Sequence, residues 1–264
     1  MKPLLSARGV THSFGAHRVL DSIDLDVNEG EIVGLIGPNG SGKTTFFHCI
    51  SGFYRPDSGS ITLNSDTRSH ELVGLPPDEI RHLGLARTFQ TREVFGGRTI
   101  LENLMTGMHP KLSSGILGAL LRLRKTRDEE AQAFARAVEV MAMFPGRFGP
   151  ERWNQYAENL SFANRCRLEI AICMMAGPKI ILVDEPAAGM NPVERVEIVE
   201  TLRRIRDLGF TLILVEHNMR VIMGISDRII VLDRGRKIAD GKPDDIVVDP
   251  AVTEAYLGDE YDIA

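Results

Sequence analysis

Gly37-Pro38-Asn39-Gly40-Ser41-Gly42-Lys43-Thr44-Thr45 directly follows the apolar run Ile32-Val33-Gly34-Leu35-Ile36. The run reads as a short buried strand ending at Ile36. The glycines permit a tight turn, and Lys43 opens a helix through Thr45, Phe46, Phe47 and Ile50 that Gly52 terminates. In that geometry several backbone N–H groups converge on one point, where the helix N-terminus also presents partial positive charge to an anion. Gly37, Asn39, Gly40, Ser41, Gly42, Lys43, Thr44 and Thr45 are therefore candidate ligands of a triphosphate. Lys43 would reach its β- and γ-phosphates. The Thr44 hydroxyl would complete the octahedral oxygen shell of Mg2+, an ion that prefers phosphates plus one or two protein groups. An ordinary Gly-rich turn would require the strand, the helix and Gly-Lys-Thr to coincide by chance.

The chain has 264 residues, 43% of them hydrophobic and 25% charged, an ordinary globular composition that excludes extended disorder. A net charge of −5 argues against nucleic acid as the main partner. The densest basic patch, Arg122, Arg124, Lys125 and Arg127, reads as a solvated helix face. Three cysteines, Cys49, Cys166 and Cys173, lack paired metal-ligand spacing and read as small buried hydrophobes in a reducing compartment. No signal peptide is expected, and the longest apolar patch, 116–123, is too short to span a bilayer. Any membrane role is therefore expected to come through partners.

Residues 4–25 alternate apolar and polar positions and predict antiparallel strands, while 65–70 predict an exposed loop. A short helix is expected over 77–83, and a strand over 84–90 that ends in Gln90. Helices are expected over 99–107 and 131–143, the second with an apolar face of Ala131, Phe134, Ala135, Val138, Met141 and Ala142. The α/β pattern resumes with Ile180-Ile181-Leu182-Val183-Asp184-Glu185. An amphipathic helix (Val196, Val199, Leu202, Ile205, Leu208) and strands at 211–217 and 228–232 follow. The expected architecture is α/β, a P-loop NTPase core with a mainly parallel sheet, an N-terminal antiparallel β subdomain and an inserted helical subdomain. Its limits are a single domain over 1–264, with core at about 1–94 and 172–264 and helical insertion at about 95–171.

Two carboxylates at the end of a buried strand complement the loop. Asp184 would hold Mg2+ and Glu185 would polarise the attacking water. With these in place the chain resembles the ATP-binding subunits of ABC transporters over almost its whole length. The resemblance implies that Phe14 stacks on adenine and that Gln90, assigned with Thr44 and Asp184 to the metal, links the nucleotide site to the membrane subunits. It also implies that His217 contacts the γ-phosphate. Leu160-Ser161-Phe162-Ala163-Asn164 stands in the place of the signature motif, so Ser161 and Ala163 are expected at the ATP held by an opposite subunit. Lys43, Glu185 and His217 are the expected catalytic set.

Ala86-Arg87-Thr88-Phe89-Gln90, Leu101-Glu102-Asn103, Arg167-Leu168-Glu169-Ile170-Ala171, Asp184-Glu185-Pro186-Ala187-Ala188-Gly189-Met190-Asn191-Pro192 and Val215-Glu216-His217-Asn218-Met219 look like the branched-chain amino-acid importer ATPases. That resemblance implies an ATPase using ATP and Mg2+, paired with a second ATPase subunit and two membrane permeases and served indirectly by a periplasmic solute-binding protein. It would sit at the cytoplasmic face of the inner membrane. Urea or amide import, and a weakly hydrolysing regulatory subunit, are the alternatives. Permease docking is expected at Val94, Phe95, Ile100, Leu101 and Leu104. Two departures stand out: Asn191 in place of aspartate, and Phe162-Ala163-Asn164 in place of Gly-Gly-Gln. If the position of Ala163 needs a left-handed conformation or close backbone approach to phosphate, its methyl would cost about 1 kcal/mol and weaken the composite site.

Overall fold

A computed structural model describes residues 2–65, 68–88, 94–108 and 124–261, leaving the side chains of 124–127 and 257–261 undescribed. The first elements are β1 (Leu5–Phe14), β2 (His17–Val27), β3 (Ile32–Ile36), α1 (Lys43–Ile50), β4 (Ser58–Asn64), β5 (Ser69–Glu71), α2 (Pro77–Leu83) and β6 (Leu85–Arg87). Then come α3 (Ile100–Thr106), α4 (Arg124–Ala142) and α5 (Phe162–Met175). The chain returns through β7 (Ile180–Asp184), α6 (Pro192–Asp207), β8 (Thr211–Val215), α7 (Met219–Ile225), β9 (Arg228–Asp233), β10 (Arg236–Gly241), α8 (Pro243–Val247) and α9 (Pro250–Tyr261). Two compact units result, Met1–Arg87 with Lys179–Ala264, and Thr88–Pro178. Gln90, Arg122 and the apolar patch 116–123 lie outside the described residues.

In the first unit a four-stranded antiparallel sheet of order β2-β1-β4-β5 accompanies a six-stranded sheet of order β10-β9-β3-β8-β7-β6. All neighbours in the larger sheet run parallel except β10, which is antiparallel to β9. β3, β7 and β8 are buried along their whole length, which is why they read as unbroken apolar runs without alternation. One apolar core joins the two sheets through α1, whose Phe46, Phe47 and Ile50 share it with Leu5 and Leu25 on one side and Val33 and Ile213 on the other. All three cysteines are buried and none of them is in a disulfide, and burial pushes the Cys49 thiol up to about 12.

Three expectations need correction. Residues 65–70 are not all loop, because Ser69 and His70 pair with Asn64 and Leu63 as the edge strand β5. Both faces of that strand are largely open, so no alternation marks it. α4 begins at Arg124, well before the expected start, and turns a different face inward: Ala133, Ala137, Val140 and Met141 are buried while Phe134 stays 42% exposed. Phe134 packs edge-on to Trp153 with ring centroids 5.8 Å apart. Alanines on both sides of the helix carry too little apolar area to reveal the face; the small ones pack inward as α3, α4 and α5 associate. On α6 the buried set is Ile198, Leu202 and Ile205, at helical i, i+4, i+7 spacing, and Val196 and Leu208 are exposed.

In the second unit α3 runs between Thr99 and Gly107. Its start is set by a capping box in which the Thr99 hydroxyl accepts the Glu102 N–H and the Glu102 carboxylate accepts the Thr99 N–H. Asn103 is buried and clamps the preceding turn: its Oδ1 accepts the Phe95 N–H at 2.8 Å and its Nδ2 donates to the Phe95 carbonyl at 3.0 Å. Of the five expected docking residues, Ile100 and Leu104 are buried in this unit, Val94 and Leu101 are half-buried, and Phe95 is 56% exposed. Among the described residues no helix is long and apolar enough to cross a membrane.

Candidate active site

The loop after β3, the carboxylates after β7 and the histidine after β8 leave the same end of the sheet. β3, β8 and β7 are adjacent and parallel, so their carboxyl ends lie side by side. In the loop the Ser41 N–H donates to the Pro38 carbonyl at 3.2 Å. The Lys43 ammonium donates to the carbonyls of Gly37 and Pro38 at 2.7 and 2.8 Å. Two glycines are sterically required. A Cβ on Gly37 (φ 150°) would overlap the Leu232 carbonyl oxygen, and one on Gly42 (φ 101°) would lie 2.8 Å from Leu20 Cδ2. The second contact also sets β2 against the loop. Asn39, Gly40 and Thr44 are exposed, Ser41 is buried and Thr45 is half-buried.

Asp184 ends β7 beneath an ion pair: Arg87 Nη2 donates to Asp184 Oδ2 at 3.1 Å, both side chains being almost wholly buried. Burial raises the Asp184 pKa and the guanidinium opposes that rise. Arg87 Nη1 donates to Ser51 Oγ at 2.9 Å and lies 3.3 Å from His48 Nδ1. Burial, reinforced by the guanidinium charge, pushes His48 down to about 4, so its imidazole is neutral and accepts from Arg87. Phe47 and Phe53 lie against the same guanidinium, 5.6 and 5.7 Å from its carbon.

Glu185 has φ 45°, a left-handed conformation that a glutamate adopts only under constraint. The constraint is visible: its N–H donates to the Val215 carbonyl at 2.8 Å, and its own carbonyl accepts the Ala188 N–H at 3.2 Å. The turn brings Glu185 Oε1 to 3.1 Å from His217 Nε2. Phe14, 49% exposed at the end of β1, stands edge-on to His12 and Tyr54 with centroids 4.8 and 5.4 Å away, a braced aromatic face. His48 and Tyr54 are not singled out by the sequence, and Arg87 appears there only within a motif, without a role; it could have been found as a cation on a strand neighbouring the one that ends in two acids.

Ser161 and Ala163 lie in the second unit. Ser161 caps α5, its Oγ accepting the Asn164 N–H at 3.3 Å. Ala163 is the second residue of that helix, so it is not left-handed, and its side chain is buried at 1% exposure. Alanine therefore carries no left-handed strain at this position. Ala163→Gly is expected to cost about 1 kcal/mol of stability, the helix-propensity difference between the two residues, and to give no gain in turnover. A severalfold rise in ATP hydrolysis would overturn this reading. Asn191 is equally at home: it caps α6 with a reciprocal box, accepting the Glu194 N–H at 3.0 Å, and asparagine and aspartate cap about equally well.

A phosphate-type loop between a central parallel strand and its helix, an antiparallel sheet ahead of it and a separate helical unit inserted after β6 define an ABC-type ATPase fold. Residues 20–188 match the ABC transporter family model, and residues 236–262 match the model of branched-chain amino acid ATP-binding cassette transporters. The high-affinity branched-chain amino acid transport ATP-binding protein LivG of Salmonella typhimurium is 42% identical over 98% of this chain and 99% of its own length. BraF of Pseudomonas aeruginosa, described by the same words, is 38% identical over 98% of this chain and 99% of its own. The crystal structure of an ABC transporter ATP-binding cassette in its ADP conformation superposes with a TM-score of 0.82 at 28% identity, covering 98% of this chain and 100% of that one. The chain belongs to the ABC transporter ATP-binding proteins, within the branched-chain amino acid group. It is an ATP-binding and ATP-hydrolysing subunit of a transporter.

Proposed function

We propose that this chain powers the import of branched-chain amino acids, working at the cytoplasmic face of the inner membrane beside two permease subunits, with a second ATPase subunit and a periplasmic binding protein. The observation that supports the solute class is the match of residues 236–262, a segment apart from the hydrolytic machinery, to the branched-chain model. A bacterial cassette of the same fold, 23% identical with a TM-score of 0.71, is dimeric, and head-to-tail pairing is the arrangement proposed here. Stimulation of ATP hydrolysis in the reconstituted transporter by a binding protein loaded with leucine, isoleucine or valine tests the solute. Stimulation by urea or amides alone would overturn it. The helical backbone at Ala163 supports full over weak hydrolysis, because it carries no left-handed strain.

The site divides the labour by chemistry. Phe14 offers its braced ring to adenine. The loop from Gly37 to Thr45 surrounds the phosphates with N–H groups, and Lys43 adds a point charge. Mg2+ suits the donors present, the exposed Thr44 hydroxyl and the Asp184 carboxylate, both hard oxygen ligands, and when bound it would neutralise phosphate charge. Glu185 takes the proton of the attacking water, the His217 contact engaging Oε1 and leaving Oε2 as acceptor. His217 presents its ring to the γ-phosphate. Gln90 and the second-unit Ser161 and Ala163 are assigned to metal and to the opposite subunit's ATP by resemblance. Lys43→Ala is expected to weaken ATP binding about 10- to 100-fold, the worth of charge-assisted hydrogen bonds to phosphate. Equilibrium binding of a fluorescent ATP analogue measures it, and an affinity unchanged within twofold would remove Lys43 from the phosphate site.

A further inference from the structure

Glu216 follows β8 and is buried, yet among the described residues no cation bonds its carboxylate. Instead it accepts from three backbone N–H groups, Oε2 from Ala187 and Oε1 from both His217 and Asn218, each at 3.1 Å. A buried carboxylate is unfavourable unless its lone pairs are satisfied, and a set of amide donors satisfies them without mobile side chains. The donors belong to two different strand ends. Ala187 lies in the turn closed by the Ala188 N–H on the Glu185 carbonyl, and His217 and Asn218 lead into α7, which Asn218 caps through the Val221 N–H at 3.2 Å. The last backbone bond between these strand ends is Glu185 N–H to the Val215 carbonyl. Beyond it Glu216 bridges the segment carrying Glu185 to the segment carrying His217.

We propose that Glu216 is a positioning residue for hydrolysis, holding both turns on one carboxylate so that Glu185 and His217 stay at their 3.1 Å separation. Its part is to act through Glu185 and His217 rather than on nucleotide or water. The left-handed Glu185 supports this reading, because a strained φ persists only where its surroundings over-determine it, and Glu216 anchors the turn immediately after it. The inference rests on the assignment of Glu185 and His217 as the hydrolytic pair.

Glu216→Gln is nearly isosteric but sets an NH2 donor against backbone donors. In the full chain, kcat for ATP is expected to fall about tenfold, as a misplaced reacting group does, with KM unchanged within twofold. In a Glu185→Gln background the same substitution is expected to have no further effect, since residues acting through one another are not additive. Equal losses in both backgrounds, an increase in KM alone, or an unaltered kcat in the folded Glu216→Gln variant would each overturn the proposal. Glu216→Asp, which keeps the charge but withdraws it by one methylene, carries the same comparison if Glu216→Gln does not fold. Failure of both to fold would assign Glu216 to the fold rather than to the reaction. The underlying assignment fails separately, by unchanged turnover in Glu185→Gln alone.

Discussion

Glu185→Gln is expected to bind ATP as the unaltered chain does and to hydrolyse it about 10²- to 10⁴-fold more slowly, the range that general-base assistance supplies. The two side chains have the same length and share the left-handed φ of 45°, so neither backbone strain nor packing distinguishes them. The amide carbonyl can still face His217 Nε2, 3.1 Å from the oxygen it replaces. What disappears is an acceptor basic enough to take a proton from water. Nucleotide affinity and steady-state phosphate release, measured on one preparation, separate the effects: affinity should hold while release collapses. Turnover within a factor of two of the unaltered chain would remove Glu185 from the role of base.

Arg87→Met is expected to destabilise the chain by about 3–5 kcal/mol, the usual consequence of deleting one partner of a buried ion pair. Methionine keeps an apolar stem against Phe47 and Phe53, so the loss reports the guanidinium rather than packing. That group donates to Asp184 at the end of β7, to Ser51 just after α1, and to the neutral His48 within α1. Arg87→Lys should be intermediate, because a point charge cannot reproduce the planar fork that reaches all three. Without the guanidinium, the burial of Asp184 loses its main opposing charge and its pKa moves further upward, leaving less carboxylate for a metal. A thermal midpoint unchanged in Arg87→Met would show that the pair adds nothing to stability.

The phosphate loop was legible because its chemistry is local. A buried strand, glycines where left-handed backbone is needed and a lysine opening a helix are all set by neighbours in sequence, and Gly37 and Gly42 stand where a Cβ would collide. The parallel strands β3, β7 and β8 were legible for a related reason, as burial on both faces demands unbroken apolar runs. The caps of Asn191 and Ser161 are equally local, each a bond to the residue three positions on, but neither residue is read as a cap in the sequence.

Only the tertiary structure could decide which face of α4 packs inward, since scattered alanines leave its burial to whatever α3 and α5 present. It alone decided that Ala163 is helical and buried, and so free of left-handed strain. It alone brought together Arg87 and Asp184, 97 positions apart, and Ala187 and Glu216, 29 apart. Those pairings depend on strand order, β6 beside β7 beside β8, and nothing in the spacing of residues along a chain states which strands become neighbours. The sequence by itself determined what chemistry this protein carries. The sheet determined which buried charges hold that chemistry in place, because hydrogen-bond partners in the interior are chosen by distance in space.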